Sequence, residues 1–186
     1  ENVSQNNNIN TSKEGTNKIR HEDGGPAFYS QERIGKNEKP FKMWKFRSMV
    51  VNADQMIDQL EDQNEINGAM FKIKDDPRIT KIGHTIRKYS LDELPQLWNV
   101  LIGDMSLVGP RPPLPSEVEE YTDYDKQRLL VMPGCTGLWQ VTKRNEADFD
   151  EMVWLDIVYI NHSGILEDLK LIIKTIGVVI HPNGTY

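Results

Sequence analysis

The stretch from Ser90 to Pro112 constrains the chain more than any other. Two adjacent carboxylates, Asp92 and Glu93, open an apolar helical pattern of Leu94, Leu97, Trp98 and Leu101. Gly103 stops that pattern, and a proline-stiffened loop, Gly109 to Pro115, follows. Pro95 limits where the helix can begin. With Ser90 as N-cap, Glu93 completes a Ser-x-x-Glu capping box, but Pro95 then removes an intrahelical bond. With Asp92 as N-cap, Pro95 falls at N3, where its missing N–H costs nothing. The second register is preferred because it breaks no bond.

In either register both carboxylates lie at the positive end of the helix dipole, which favours their ionised forms. Adjacent helical residues diverge by about 100°. Two separate roles therefore suit the pair better than one shared proton. Taken alone, an acidic pair at a helix start is an ordinary cap. Here Arg87 and Lys88 precede it and Arg111 follows in the proline loop. Cations around a carboxylate pair suit phosphoryl transfer from a diphosphate. One carboxylate could attack phosphorus while the other holds Mg2+, a hard cation that prefers oxygen ligands.

The chain has 186 residues and a formal net charge of -6. That length suffices for one domain with its own core. The overall acidity argues against a nucleic-acid partner. Lys36, Lys39, Lys42, Lys45 and Arg47 nevertheless form a basic strip, suited to an anionic small ligand, a membrane surface or simple solvation. The single cysteine, Cys135, excludes an internal disulfide and reads as a small, partly apolar residue. No apolar run approaches the roughly 18 residues of a membrane span.

Residues 1–23 are rich in Asn, Ser, Thr and Lys and read as a polar arm, linker or tag, with the folded domain at 24–186. Strand-like runs at Ala27 to Ile34 and Phe41 to Met49 flank a hairpin loop, with Lys45 and Arg47 on one face. Helical patterns follow from Asn52 to about Asn64 and around Ile79, Ile82 and Ile86. Ser116 caps a short acidic helix, and residues 132–140 read as a loop. Two helical stretches close the chain. The second, Ile165 to Ile180, carries Lys170 and Lys174 beside its apolar residues and could touch a bilayer, although a core-facing helix is preferred. The fold class is α+β: a mostly helical single domain with a short antiparallel hairpin near its N-terminus.

The chain resembles the catalytic domain of the bacterial sugar transferases, the monotopic polyprenyl-phosphate phosphoglycosyl transferases. The segments that carry the likeness are Gln31 to Gly35, Lys45 to Met49, Asp76 to Thr80, Ile86 to Lys88, Ser90 to Gln96, Gly103 to Pro112, Pro133-Gly134 with Gly137 to Gln140, and Asp156 with Tyr159. The resemblance implies transfer of a sugar 1-phosphate from a nucleotide diphosphate sugar, such as a UDP-sugar, to undecaprenyl or another polyprenyl phosphate. It implies Asp92 as nucleophile, Glu93 as the Mg2+ ligand, and Arg87 and Arg111 as phosphate-binding residues. Lys45, Arg47 and Arg78 are further candidates for phosphate or headgroup contact. Gln140 and Asp156 read as structural. The cytoplasmic face of the plasma membrane is the implied location, with the inner membrane surface as a partner and a homo-oligomer left open. Residues 1–23 are polar where the family carries an apolar anchor, so the chain is expected to lack one. The alternative is a nucleotide-sugar-binding or regulatory module without turnover.

Overall fold

A computed structural model describes residues 16–56, 59–60, 73, 75–143 and 147–180. Residues 16–23 form a helix, α1, inside the segment expected to be a polar arm. Its Ile19 is buried with Ala27 and Ile86, which draws this turn of polar sequence into the fold. Strands β1 (Phe28–Ile34) and β2 (Pro40–Phe46) pair antiparallel, with Tyr29 opposite Lys45 and Phe28 opposite Phe46. Arg47 lies just beyond β2, and the expectation that it shares a target with Lys45 is corrected. Its guanidinium reaches Asp23, Pro26 O, Ile19 O and Met49 O instead. The helix expected from Asn52 is a short 3-10 turn, Ala53–Met56, in its described part, and most of the remainder lies outside the described residues.

Helix α2 (Lys81–Lys88) begins at Thr80, whose hydroxyl accepts a bond from Gly83 N. Ser90 then takes a left-handed φ of 51° and turns the chain back. Leu91–Glu93 form one 3-10 turn, and α3 (Gln96–Ile102) starts behind Pro95. Neither register expected from the sequence holds. Pro95 occupies the N-cap of α3, where no intrahelical N–H is required, and this pushes Asp92 and Glu93 into a separate turn. Gly103, with φ 88°, closes α3.

Helix α3 packs with its polar side inward. Gln96 and Asn99 are buried while Leu97, Trp98, Leu101 and Ile102 are exposed. Asn99, 0% exposed, accepts from Trp44 N at 3.0 Å and donates to Lys42 O at 2.8 Å. The helix thus lies along an edge of β2, satisfying strand groups that no third strand among the described residues covers.

The second half packs around a parallel pair, β3 (Ser106–Val108) and β4 (Gly134–Thr136). A Cβ at Gly134 would come within 2.1 Å of Gly109 N, so the backbones touch. The stretch expected as a loop therefore contains β4 and α5 (Leu138–Thr142); a strand of three residues is too short to show a period. Helix α4 (Pro115–Glu119) starts one residue before the expected Ser116 cap, with Pro115 in its first turn and Leu114 N bonded to Glu117 Oε2. Helices α6 (Phe149–His162) and α7 (Ile165–Ile180) cover this half, with Val108, Tyr159 and Leu171 buried together. The core-facing expectation for α7 holds at Leu171 and Ile172 and fails at Ile165, Leu166, Leu169, Ile173, Ile176 and Ile180, which are exposed. Among the described residues no helix is long and apolar enough to cross a membrane.

Replacing Asn99 with Ala leaves Trp44 N and Lys42 O without their buried partner. The expected cost is roughly 2–4 kcal/mol, read as a lower urea midpoint at unchanged m-value.

Candidate active site

The 3-10 turn at Leu91–Glu93 presents its two carboxylates to different surroundings. Asp92 is 8% exposed, and burial together with the neighbouring Glu93 charge pushes its carboxyl up to about 6. The dipole argument, which favoured full ionisation of both acids, is thereby corrected for Asp92. No regular helix starts at this turn to supply the dipole, and desolvation outweighs the nearby cations Lys45 and Arg87. Glu93 behaves oppositely. Burial would raise it, but the Lys45 ammonium at 2.9 Å, with Arg111 and Gln96, holds it below the ordinary carboxylate range. The Glu93 side chain keeps 35% exposure, so it remains reachable. The two acids are thus differentiated by their environments, as separate roles require.

Each surrounding cation has its own anchor. Lys45 comes from β2, held at that height by the Asn99 bonds to Lys42 and Trp44. Arg87 is in the last turn of α2, steadied by Nε–H donation to Ser48 Oγ at 2.8 Å. Arg111 sits half-buried in the proline loop, close enough for its charge to draw Glu93 down.

Sequence reasoning missed Arg33 as a site residue. Its buried guanidinium donates to Pro112 O at 3.1 Å, and the next residue's Ile34 N donates to Pro113 O at 2.9 Å. These two bonds tie the Arg111 loop to β1. Burial, with Arg111 beside it, pushes Arg33 down to about 10, which still leaves it cationic at neutral pH. The signal available beforehand was its place in the segment Gln31 to Gly35.

Two other candidates are engaged in ion pairs of their own. Arg78 is committed to a buried ion pair with Asp76 at 2.6 Å, and Arg47 to Asp23. Both brace the turns that carry β2 and α2. Asp156 pairs with Arg128 in the interior, as a structural residue would. The Cys135 thiol is pushed up to about 11 by burial and by the Glu93 charge, so it is no nucleophile at neutral pH.

The bacterial sugar transferase family model matches residues 16–182. The chain belongs to the bacterial sugar transferase family. It is 55% identical over 163 residues to the galactosyl transferase CpsE of Streptococcus agalactiae, covering 87% of this chain and 36% of that one. It is 48% identical over 168 residues to the undecaprenyl-phosphate galactose phosphotransferase of Salmonella typhimurium, covering 88% and 35%. The exopolysaccharide production protein ExoY of Sinorhizobium fredii is 41% identical over 172 residues, covering 90% and 76%. The chain spans about a third of the length of the first two relatives.

The Asp92 carboxyl is raised in the folded protein, so its ionisation opposes folding above the unfolded value near 4 and does so fully above about 6. Asp92→Asn is therefore expected to stabilise the fold at pH 8, by on the order of 2 kcal/mol, and much less at pH 4. Glu93→Gln removes the like charge and should move the Asp92 midpoint downward. Carboxyl-carbon NMR titration of wild type and variant checks the direction.

Proposed function

We propose that this chain is the catalytic part of a glycosyl-1-phosphate transferase. It would move a sugar 1-phosphate from a nucleotide diphosphate sugar to a polyprenyl phosphate. The observation that carries the reading is the pair of differentiated acids, Asp92 and Glu93, set among Lys45, Arg87 and Arg111. The names of relatives support the substrate classes: one acts as an undecaprenyl-phosphate galactose phosphotransferase, and another produces exopolysaccharide.

In the first step a carboxylate oxygen of Asp92 attacks the sugar-side phosphorus. The bridging phosphorus–oxygen bond breaks, its electron pair leaves with the nucleoside monophosphate, and the sugar phosphate is held as an acyl phosphate on Asp92. In the second step a phosphate oxygen of the lipid attacks the same phosphorus. The aspartyl bond breaks, Asp92 regains its carboxylate, and a sugar diphospholipid is formed. A midpoint near 6 leaves Asp92 mostly ionised at neutral pH, and its desolvation keeps the anion reactive. Lys45, Arg87 and Arg111 offset the charge that develops on the transferring phosphoryl oxygens and the leaving phosphate.

The donor set fits Mg2+. That ion is commonly held by one or two carboxylates together with substrate phosphates and water, and Glu93 offers a partly exposed carboxylate beside the phosphate-binding cations. Glu93 would hold it, with Lys45 giving way; when bound, it would neutralise the diphosphate and assist departure of the monophosphate.

Incubation with nucleotide sugars, Mg2+ and detergent-dispersed polyprenyl phosphate tests the proposal. Wild type should release nucleoside monophosphate and form lipid-linked sugar, and Asp92→Asn should lose both by roughly a thousandfold or more. Radiolabelled sugar phosphate should remain on Asp92 when the lipid is withheld. Monophosphate release that survives Asp92→Asn would sink the mechanism. Binding of a nucleotide sugar without any product would favour a non-catalytic module.

A further inference from the structure

The run Lys45 to Ser48 supplies one cation of the site and holds another. Lys45 pairs with Glu93 at 2.9 Å. Past the end of β2, the Ser48 hydroxyl accepts from Arg87 Nε at 2.8 Å. Ser48 is only 7% exposed, and its carbonyl oxygen also accepts from Thr80 N at 3.0 Å. Thr80 is the N-cap of α2, and Arg87 lies in the last turn of that helix. One serine therefore holds α2 at its start through its backbone and at its end through its side chain. Ser48 is itself held by its neighbours. The Arg47 guanidinium donates to Met49 O at 3.1 Å and so closes the backbone over Ser48. Asp23, Ile19 O and Pro26 O fix that guanidinium from α1 and the turn after it. Beyond Met49, Val50 N donates to Arg78 O at 2.9 Å. These anchors give the Ser48 hydroxyl a fixed place.

The bond to Ser48 decides which donors Arg87 has left. A guanidinium carries five N–H groups, one on Nε and four on the terminal nitrogens. Nε is spent on Ser48, and the terminal nitrogens make no hydrogen bond among the described residues. An arginine fixed at Nε presents its two terminal nitrogens as a fork, a geometry that can take two oxygens of one phosphate. Arg87 is close enough to Asp92 for its charge to act on that carboxyl. We infer that Ser48 is the positioning residue of Arg87, fixing its guanidinium in one orientation so that the terminal nitrogens meet a phosphate of the donor. This rests on the reading that the donor is a nucleotide diphosphate sugar. It deepens that reading by naming the residue that directs one of the phosphate contacts, and it gives Arg47, which reaches no phosphate site itself, a part in the same arrangement.

The test titrates inorganic pyrophosphate, the bare counterpart of the donor's diphosphate, into the protein by calorimetry at constant Mg2+. Wild type should bind it saturably, and Arg87→Gln more weakly. Ser48→Ala should weaken binding about fivefold, the scale of immobilising one long side chain afresh on binding. Ser48→Thr keeps the hydroxyl and should restore the affinity. Adding Ser48→Ala to Arg87→Gln should cost nothing further, because no guanidinium is left for the hydroxyl to hold. A serine that only supports the fold would lower the urea midpoint and leave the pyrophosphate affinity of the folded protein unchanged. That result would overturn the inference, and so would additive weakening in the double variant. Wild type without Arg87-dependent pyrophosphate binding would overturn it as well. Near-UV circular dichroism verifies that each variant is folded, and the cycle between Ser48→Ala and Arg87→Gln decides the matter without the threonine variant. Turnover by wild type with no Ser48 effect on pyrophosphate binding rejects the role of Ser48 alone. Pyrophosphate binding that depends on Ser48 through Arg87, without turnover on any nucleotide sugar, rejects the transferase reading and leaves the positioning role supported.

Discussion

The arrangement of the site depends on one buried carboxamide. Asn99 satisfies an N–H and a C=O of β2 that no other strand among the described residues reaches, and in doing so fixes the axial and rotational position of α3. A leucine at this place would bury more apolar area but would leave two strand groups unpaired, each at a cost of about 1–3 kcal/mol. The direction of α3 follows from that choice. Once Asn99 faces the strand, the 3-10 turn before the helix falls beside Lys45, and the leucines and Trp98 face outward. An interior amide thus sets both the charged and the apolar sides of the region.

A second consequence is the contrast between the two acids. Adjacent in sequence, they differ because one is enclosed and the other is met by an ammonium. Asp92 is held where its charge is expensive, and Glu93 where its charge is compensated. The fold therefore keeps a desolvated carboxylate at a stability cost. The rest of the structure offsets that cost through buried apolar clusters, while the Arg78–Asp76 and Arg128–Asp156 pairs brace turns and helices.

Much of this was legible in the residues. The hairpin, α2, the two closing helices and the glycine stop of α3 all carry strong periodic or capping signals. The flanking of Asp92 and Glu93 by Arg87 and Arg111 follows from their spacing and the proline loop, whereas Lys45, 48 residues from Glu93, enters only through the family resemblance and is brought there by the hairpin. What escaped was decided by tertiary contact. Pro95 was read as an N3 residue, yet the chain uses it to begin α3 afresh, a choice settled by Asn99 docking on β2. The three-residue strands β3 and β4 carry no period and exist because glycine backbones at Gly109 and Gly134 can touch. Arg47 alternates in phase with Lys45, but β2 ends at Phe46 and Asp23 captures the guanidinium. Arg33 looked like one member of a motif, and its work on the proline loop depends on a partner nearly eighty residues away.

One guanidinium gives the molecule a longer reach. Arg128 donates through the same terminal nitrogen to the Asp156 carboxylate of α6 and to the carbonyl oxygen of Arg111. The helical half and the loop that carries Arg111 are therefore joined through this side chain. Sequence drift on the distant face of α6 is then not silent at the site. Asp156 and the backbone that carries Arg111 meet on one guanidinium, so a substitution that displaces α6 bears on the position of that loop without any residue in it changing.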